Sequence, residues 1–403
     1  MNPKRGIWQQ QEFRLYLGST AFAGIAFAMQ QLLLSWILIG ILELPATQVG
    51  MIQAAVGIPG LFVMLLGGAR ADDRDPRLLL IRVYSYAPLL PLFLIVIINF
   101  GQLTIWSVLI WGLGVSFCVS YSSPAQQAIL NRIASSDVQK AVSAATAIAF
   151  SVQMLGLGIA GTMDELGLIP VLCFQGVCLG LGAVSIRLLQ PQPPTNTNSE
   201  STYSNIIAGL KAIYHQKVIM QTLLINFVSS IFNAGAFMTV FPFIVKRIYE
   251  GDALLLSFLM IVFYGGATAS NFIMIRVMPL VRTGRIFLIM QLTRMLILGV
   301  MWIQPSFWIF TLAAVAWGLN MGVTTTLART IVQESAGEEY RARIMSVYSL
   351  GLIGSAPIGA LLLGWIIESF GTLNGLIPAM MISIVLFIYG VLFSLCLFFL
   401  SFL

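Results

Sequence analysis

The sequence predicts an all-α membrane protein of twelve transmembrane helices, arranged as two pseudo-symmetric six-helix bundles. Three observations lead there. Apolar stretches of helix-spanning length recur about twelve times along the 403 residues. Hydrophobic residues make up 58% of the chain and charged residues only 9%, whereas about a quarter of an ordinary soluble domain is charged. The second half also echoes the first, at an offset of about 203 residues.

One crossing of a ~30 Å hydrocarbon core takes ~20 mostly apolar residues. By that measure the spans fall at 13–40, 46–71, 77–99, 103–131, 137–163, 167–189, 218–248, 252–279, 284–303, 306–334, 340–370 and 372–402. Several exceed the bilayer thickness, which tilt or extension into water absorbs. Residues 1–6 are polar and basic, and the long apolar run behind them reads as a first span rather than a cleaved signal peptide. Basic residues gather at alternate connections: Lys4, Arg5 and Arg14; Arg70, Arg74, Arg77 and Arg82; Arg132 and Lys140; Arg187, Lys211 and Lys217; Arg276, Arg282 and Arg285; Arg329, Arg341 and Arg343. The opposite connections hold only Lys246 and Arg247. Cytoplasmic loops collect Lys and Arg, so both termini are expected in the cytoplasm. Trp36, Trp106, Trp302, Trp308 and Trp365 fall near outer span ends, as an interfacial aromatic belt would.

Residues 190–204 (QPQPPTNTNSESTYS) have linker composition, and 205–216 (NIIAGLKAIYHQ) reads as a short amphipathic surface helix that includes His215. The expected organisation is an N-terminal six-helix bundle over 1–189, a cytoplasmic linker over 190–217 and a C-terminal six-helix bundle over 218–403.

The net charge of +6 sits at helix ends, as topology requires, and gives no nucleic-acid footprint. Cys118, Cys173, Cys178 and Cys396 lie inside apolar stretches without ligand-like spacing and read as small core residues. No metal cluster, nucleophile–base pair, GxGxxG or phosphate loop is present in the pattern, so no enzyme, metal or cofactor is expected.

The internal repeat is clearest between residues 135–167 and 338–371. Lys140 falls on Arg343, Ser143 on Ser346, Gly156 on Gly359, Gly161 on Gly364 and Glu165 on Glu368. Repeated halves that rock about a central site are a common route to alternating access. Glycines in such spans also let helices approach closely.

Six spans, a linker and six more, with GGARADDRDPRLLL at 67–80, resemble the major facilitator superfamily over nearly the whole chain. Gly68 takes the glycine position of that family's loop signature, Asp72 the aspartate, and Arg74 and Arg77 the basic positions; Asp73 and Pro76 depart from it. The resemblance implies that this loop is a gate, with Asp72 docking on the cytoplasmic start of the eleventh span. EEYRARIMSVYS from Glu338, followed by SAPIGALLLG, is similar to the eleventh span of bacterial enterobactin-exporter-type efflux carriers. SSPAQQAILNRI from Ser122 is similar to their fourth span, and to that of lysophospholipid transporters. The efflux signature of the fifth span is incomplete, since QMLGLGIAG from Gln153 lacks its proline. The fourth-span arginine of many proton-coupled members is absent from 106–121.

In that fold spans 1, 4, 7 and 10 line the cavity, and each carries a polar stripe here. The candidate substrate contacts are Gln30, Gln31, Ser120, Asn226, Asn233, Trp317 and Asn320, beside Ser35, Ser116, Ser123, Ser229, Ser230 and Thr324. Polar groups at mid-depth need partners, and either a wet cavity or interhelical hydrogen bonding supplies them. No acidic residue lies mid-span: Asp164, Glu165 and Glu368 sit at outer ends, and proton coupling would fall to an end-located group such as Glu334 or Glu165. Arg294, about three turns into the ninth span, is the deepest charge; a structural role in that peripheral span, where arginine can snorkel, is its first expectation, and contact with an anionic substrate the second. The expected function is a monomeric secondary transporter of the bacterial plasma (inner) membrane, exporting a small organic molecule, a siderophore or an amphiphilic compound. A lysophospholipid carrier, an importer, and a non-transporting receptor or scaffold stand as alternatives.

Overall fold

The computed structural model describes the backbone of residues 10–73, 75–134, 138–191, 210–211, 213–214, 216–277, 283–336 and 341–400. It describes their side chains except at 65–73, 131, 134, 138–144, 146–147, 275, 341–343, 346 and 393–400. The described chain is helical. Helix α1 (Gln11–Trp36) runs on through a π turn (Ile37–Ile41), and α2 is Ala46–Asp73. The next crossing is α3 (Pro76–Tyr86) and α4 (Leu89–Asn99), broken where Pro88 has no N–H to offer the turn behind it. Then come α5 (Ile105–Ala134), α6 (Val138–Gly161), the short α7 (Met163–Leu166) and α8 (Leu168–Arg187). Beyond the linker, α9 (Lys217–Gly235) passes through a second π turn (Ala236–Val240) into α10 (Phe241–Arg247). The chain ends in α11 (Ala253–Val277), α12 (Thr283–Trp302), α13 (Phe307–Ser335), α14 (Arg341–Phe370) and α15 (Ile377–Leu400).

Eleven helical stretches of described residues are long and apolar enough to cross a bilayer. Their outward faces carry Phe62, Tyr86, Trp106, Phe272, Leu312 and Leu392, all exposed. Soluble monomers seldom expose apolar surface on that scale, and hydrocarbon is the solvent that suits it. Of the predicted belt, Trp106, Trp302, Trp308 and Trp365 are exposed, but Trp36 is 2% exposed and turned inward. Cys118 and Cys178 are buried as expected; Cys173 is exposed instead.

The chain divides into two compact units whose borders run through helices. The first runs to Glu43, resumes at Ala55 as far as the linker, and includes Asp252–Ser257; the second takes Leu44–Ala54, the chain from the linker to Gly251, and Phe258 onward. In the first, Phe13, Tyr16 and Leu17 of α1 pack with Leu80 and Tyr84 of α3, Ile129 of α5 and Ile186 of α8. In the second, Ile219 and Ile225 of α9 pack with Phe287 of α12, Leu327 and Val332 of α13 and Ile344 of α14.

The backbone repeats. Every positive φ among the described residues has a counterpart one repeat later: Glu43 and Glu250 (both 48°), Gly101 (66°) and Gln304 (52°), Gly167 (89°) and Gly371 (97°). The separations are 207, 203 and 204 residues. Left-handed backbone costs a non-glycine residue about 1–2 kcal/mol. The glutamates therefore mark a loop shape that is imposed twice. The two π turns also fall in corresponding crossings. Gly156 and Gly359 show why the repeat keeps glycine. A Cβ on Gly156 would overlap the backbone of α1 at Ile25, and one on Gly359 the backbone of α9 at Ile231 and Gly235. Helices in lipid gain association from such close approach.

Candidate functional site

Each unit holds a buried polar cluster. In the first, Gln30 and Gln31 are successive residues of α1, so they project about 100° apart and face different helices. Gln175 of α8, fully buried, donates from Nε2 to Gln30 Oε1 (3.2 Å) and to the Ala26 carbonyl (3.0 Å). Gln153 of α6 donates from Nε2 to Gln31 Oε1 at 3.0 Å. Gln30 Nε2 is buried and has no hydrogen-bond partner among the described residues.

In the second unit the centre is Arg294, 5% exposed. It does not snorkel. Its Nε donates to Asn320 Oδ1 at 2.9 Å and one terminal nitrogen to Thr324 Oγ1 at 2.9 Å, both on α13. The other terminal nitrogen donates to Ser229 Oγ on α9 and to Gln291 Oε1 at 3.3 Å, one turn back on α12. A guanidinium presents five N–H groups in a planar fork, and three helices here supply acceptors to match. Snorkelling serves a charge whose nearest acceptors lie outside the bilayer; here they lie beside it. No carboxylate is among these partners. Asn320 Nδ2 in turn donates to the Met290 carbonyl (2.8 Å) and to Thr293 Oγ1 (2.9 Å). Ser229 extends the cluster along α9: its carbonyl accepts from Asn233 Nδ2 at 2.8 Å, while Asn233 Oδ1 is buried with no partner among the described residues.

The other predicted contacts are placed as follows. Asn226 is buried on α9. Trp317 is enclosed by aromatic rings, with centroids 5.3 Å from Phe263, 5.9 Å from Phe237 and 6.0 Å from Phe241. Ser116 and Ser120 of α5 lie against Gly60 of α2, where a Cβ would meet their hydroxyls. Asn233 and Asn320 thus share one cluster around Arg294, and Gln30 and Gln31 share another. Gln291, Gln153 and Gln175 were not among the predicted contacts, and Arg294 entered only as a second expectation. A charged or amide side chain in the middle of a supposedly peripheral span was the available signal.

Of the predicted gate, Gly68 and Asp72 lie on the helical backbone of α2, but their side chains are outside the described residues, as is Arg74 altogether. Arg77 is described: a terminal nitrogen donates to the Arg187 carbonyl at the end of α8, at 2.7 Å. Asp75 accepts from Arg77 N at 2.8 Å and caps α3, whose first residue is Pro76. A first-turn proline needs no N–H partner, which explains its place there. Among the described residues no group of three or more His, Cys, Asp or Glu is placed to hold a metal ion.

Residues 7–398 match the family described as transmembrane secretion effector. The chain belongs to that family. It is a membrane transporter of the major facilitator type, and solved structures agree on the fold. A POT family transporter in complex with 5-aminolevulinic acid aligns at a TM-score of 0.75 and 13% identity, over 97% of this chain and 98% of that one. The nucleoside transporter NupG aligns at 0.72 and 13%, over 94% and 98%. A bacterial homolog of the human lysosomal transporter Spinster, inward-facing and unoccupied, aligns at 0.68 and 13%, over 95% and 96%. No curated protein matches the chain. At such identities the structural likeness carries the fold alone.

Proposed function

We propose that this transporter exports a small organic molecule, a siderophore or an amphiphilic compound, across a bacterial inner membrane by alternating access. The observation that carries the direction is the match over 7–398 to a family described by secretion. The paired backbone positions support two pseudo-symmetric six-helix bundles, 1–189 and 218–403, joined by the 190–217 linker. The alternation of Lys and Arg supports cytoplasmic termini. The clusters around Arg294 and around Gln30 place amides, hydroxyls and one guanidinium with no carboxylate partner among the described residues in the interior. Such an interior suits an acceptor-rich molecule.

The test is mass spectrometry of small molecules inside and outside cells, comparing the native strain with one lacking this gene, with and without iron. A compound retained inside the deletion strain supports export, and an iron-regulated chelator supports the siderophore reading. A compound depleted inside that strain makes the protein an importer. No difference in either compartment overturns the proposal.

A further inference from the structure

A cavity of about 310 Å³ opens at one end of the second unit, lined by Ile248, Trp302, Gly371, Thr372, Leu373 and Asn374. That is several times the ~30 Å³ share of one water in the liquid, so the space takes a group of several atoms. Two hydrogen bonds fix one wall. Trp302 Nε1 donates to Asn374 Oδ1 at 3.1 Å, and Asn374 Nδ2 donates to the Phe370 carbonyl at 2.7 Å. The Asn374 amide is therefore used at both ends. Thr372 is not: it is only 8% exposed, it lines the cavity, and its hydroxyl makes no hydrogen bond among the described residues.

Thr372 also stands at the start of a long helix. Leu373–Leu376 form a 3₁₀ turn that runs on into α15 at Ile377, whose backbone is helical at φ −56° and ψ −45°. The first bond of that turn runs from the Gly375 N–H to the Thr372 carbonyl at 3.2 Å. The N–H groups of Thr372, Leu373 and Asn374 come ahead of it and have no carbonyl in their own helix to pair with. A capping hydroxyl ordinarily accepts from such groups, but Thr372 makes no cap bond. Hydroxyl and N–H groups are thus open to one shared acceptor, at the positive end of a helix, where phosphates bind. Both signs of charge stand beside the lining segments. Arg247 directly precedes Ile248, and Glu368 lies one turn before Gly371. The two side chains are 3.8 Å apart and 40% and 43% exposed, so neither is used up by the other.

We propose that this cavity binds the headgroup of a zwitterionic phospholipid, with its phosphate on the Thr372 hydroxyl and the N–H groups of residues 372–374. The surroundings favour a lipid over a free anion. Ile248, Trp302 and Leu373 give the cavity apolar walls, and Ile303, Trp365 and Phe370 beside it are exposed, as residues facing acyl chains are. Trp302 itself is partly exposed, at the kind of span end where indoles meet headgroups. The charges favour a zwitterionic head: Arg247 suits the phosphate and Glu368 the ammonium, whereas an anionic head would leave Glu368 facing a like charge. The site is separate from the Arg294 cluster, because Arg294 lies eight residues before Trp302, about 12 Å along α12. It does not depend on what is transported or in which direction.

The test is native mass spectrometry of the full-length protein in detergent, titrated with dioleoylphosphatidylethanolamine. A first, saturable lipid adduct is expected. Thr372→Val keeps the shape but removes the hydroxyl, and should weaken that adduct roughly tenfold, as loss of a hydrogen bond to a charged group does. Thr372→Glu places a carboxylate over the N–H groups and should abolish the adduct. Unchanged binding in both variants overturns the proposal. Dioleoylglycerol has the same chains without the phosphate, and equal binding by it overturns the proposal too, since chains alone would then fill the site. Glycerophosphoethanolamine has the headgroup without the chains; if it binds as tightly as the lipid, the site takes a free anion and the lipid assignment falls. Should Thr372→Glu fail to fold, Thr372→Val still decides: a valine variant with the wild-type melting temperature and wild-type lipid binding overturns the proposal.

Discussion

Replacing Arg294 by lysine should destabilise the protein more than replacing it by methionine. The guanidinium makes four hydrogen bonds to Asn320, Thr324, Ser229 and Gln291. Interhelical hydrogen bonds in membrane proteins contribute about 0.6 kcal/mol each, so the three that reach α9 and α13 contribute about 1.8 kcal/mol, with the bond to Gln291 lying within α12. Methionine forfeits all four and leaves Asn320 Oδ1 buried without its donor, a cost of about 1–3 kcal/mol. It also removes the burden of keeping a charge out of water, worth several kcal/mol, so the net loss should be about 1 kcal/mol. Lysine keeps that burden. Its ammonium is more strongly hydrated, and its compact head cannot reproduce the planar fork that reaches three helices. Its loss should be about 2–3 kcal/mol, from two or more bonds forfeited with the charge still buried. The assay is thermal unfolding in detergent followed by size exclusion, with the expected order wild type, methionine, lysine. A lysine variant that melts with the wild type would refute the reasoning, because any cation would then serve. A methionine variant below lysine would refute it too, since the charge itself would then be stabilising.

Three further outcomes test the polar interior, the packing of α9 on α14 and the loop at 67–80. Asn320→Leu should lower the melting temperature by a few degrees, since Arg294 Nε loses its acceptor, whereas Asn233→Leu should melt closer to wild type, because it forfeits only the Nδ2 bonding to Ser229 of its own helix and its Oδ1 has no partner among the described residues. If Asn233 contacts substrate, that second variant still weakens export, and unimpaired export removes it from the site. Gly359→Val should abolish monodisperse expression, because its side chain would occupy the backbone of α9; a folded variant would show that α9 and α14 can separate there. Asp72→Ala should slow transport while leaving membrane insertion intact, and unchanged transport would end the proposed role of that loop as a gate.

Eleven spans were legible among the described residues because bilayer thickness sets a length that hydropathy can measure, and their borders fall where charged or turn residues interrupt it. The repeat was legible as Gly156 with Gly359, and the structure supplies the reason: both face a neighbouring backbone. Partners distant in sequence were not legible. Trp36 looked like a belt residue because a span end is the same sequence whether it faces lipid or protein. Its indole is instead held by Asp164, 128 residues away. Glu368 read as the polar end of a span; its partner is the N–H of Ala46, 322 residues earlier, a backbone group that no side-chain pattern reports. The π turns at ILIGI and AFMTV have no compositional mark either. For Arg294, depth was readable and environment was not, because all its acceptors but Gln291 lie on α9 and α13, 65 residues away at Ser229 and 26 at Asn320. Hydropathy ranks a residue against bulk solvent, whereas the role of a polar group inside a membrane is set by the few atoms it meets. Those atoms come from other helices here, so the polar interior had to be read from the packing.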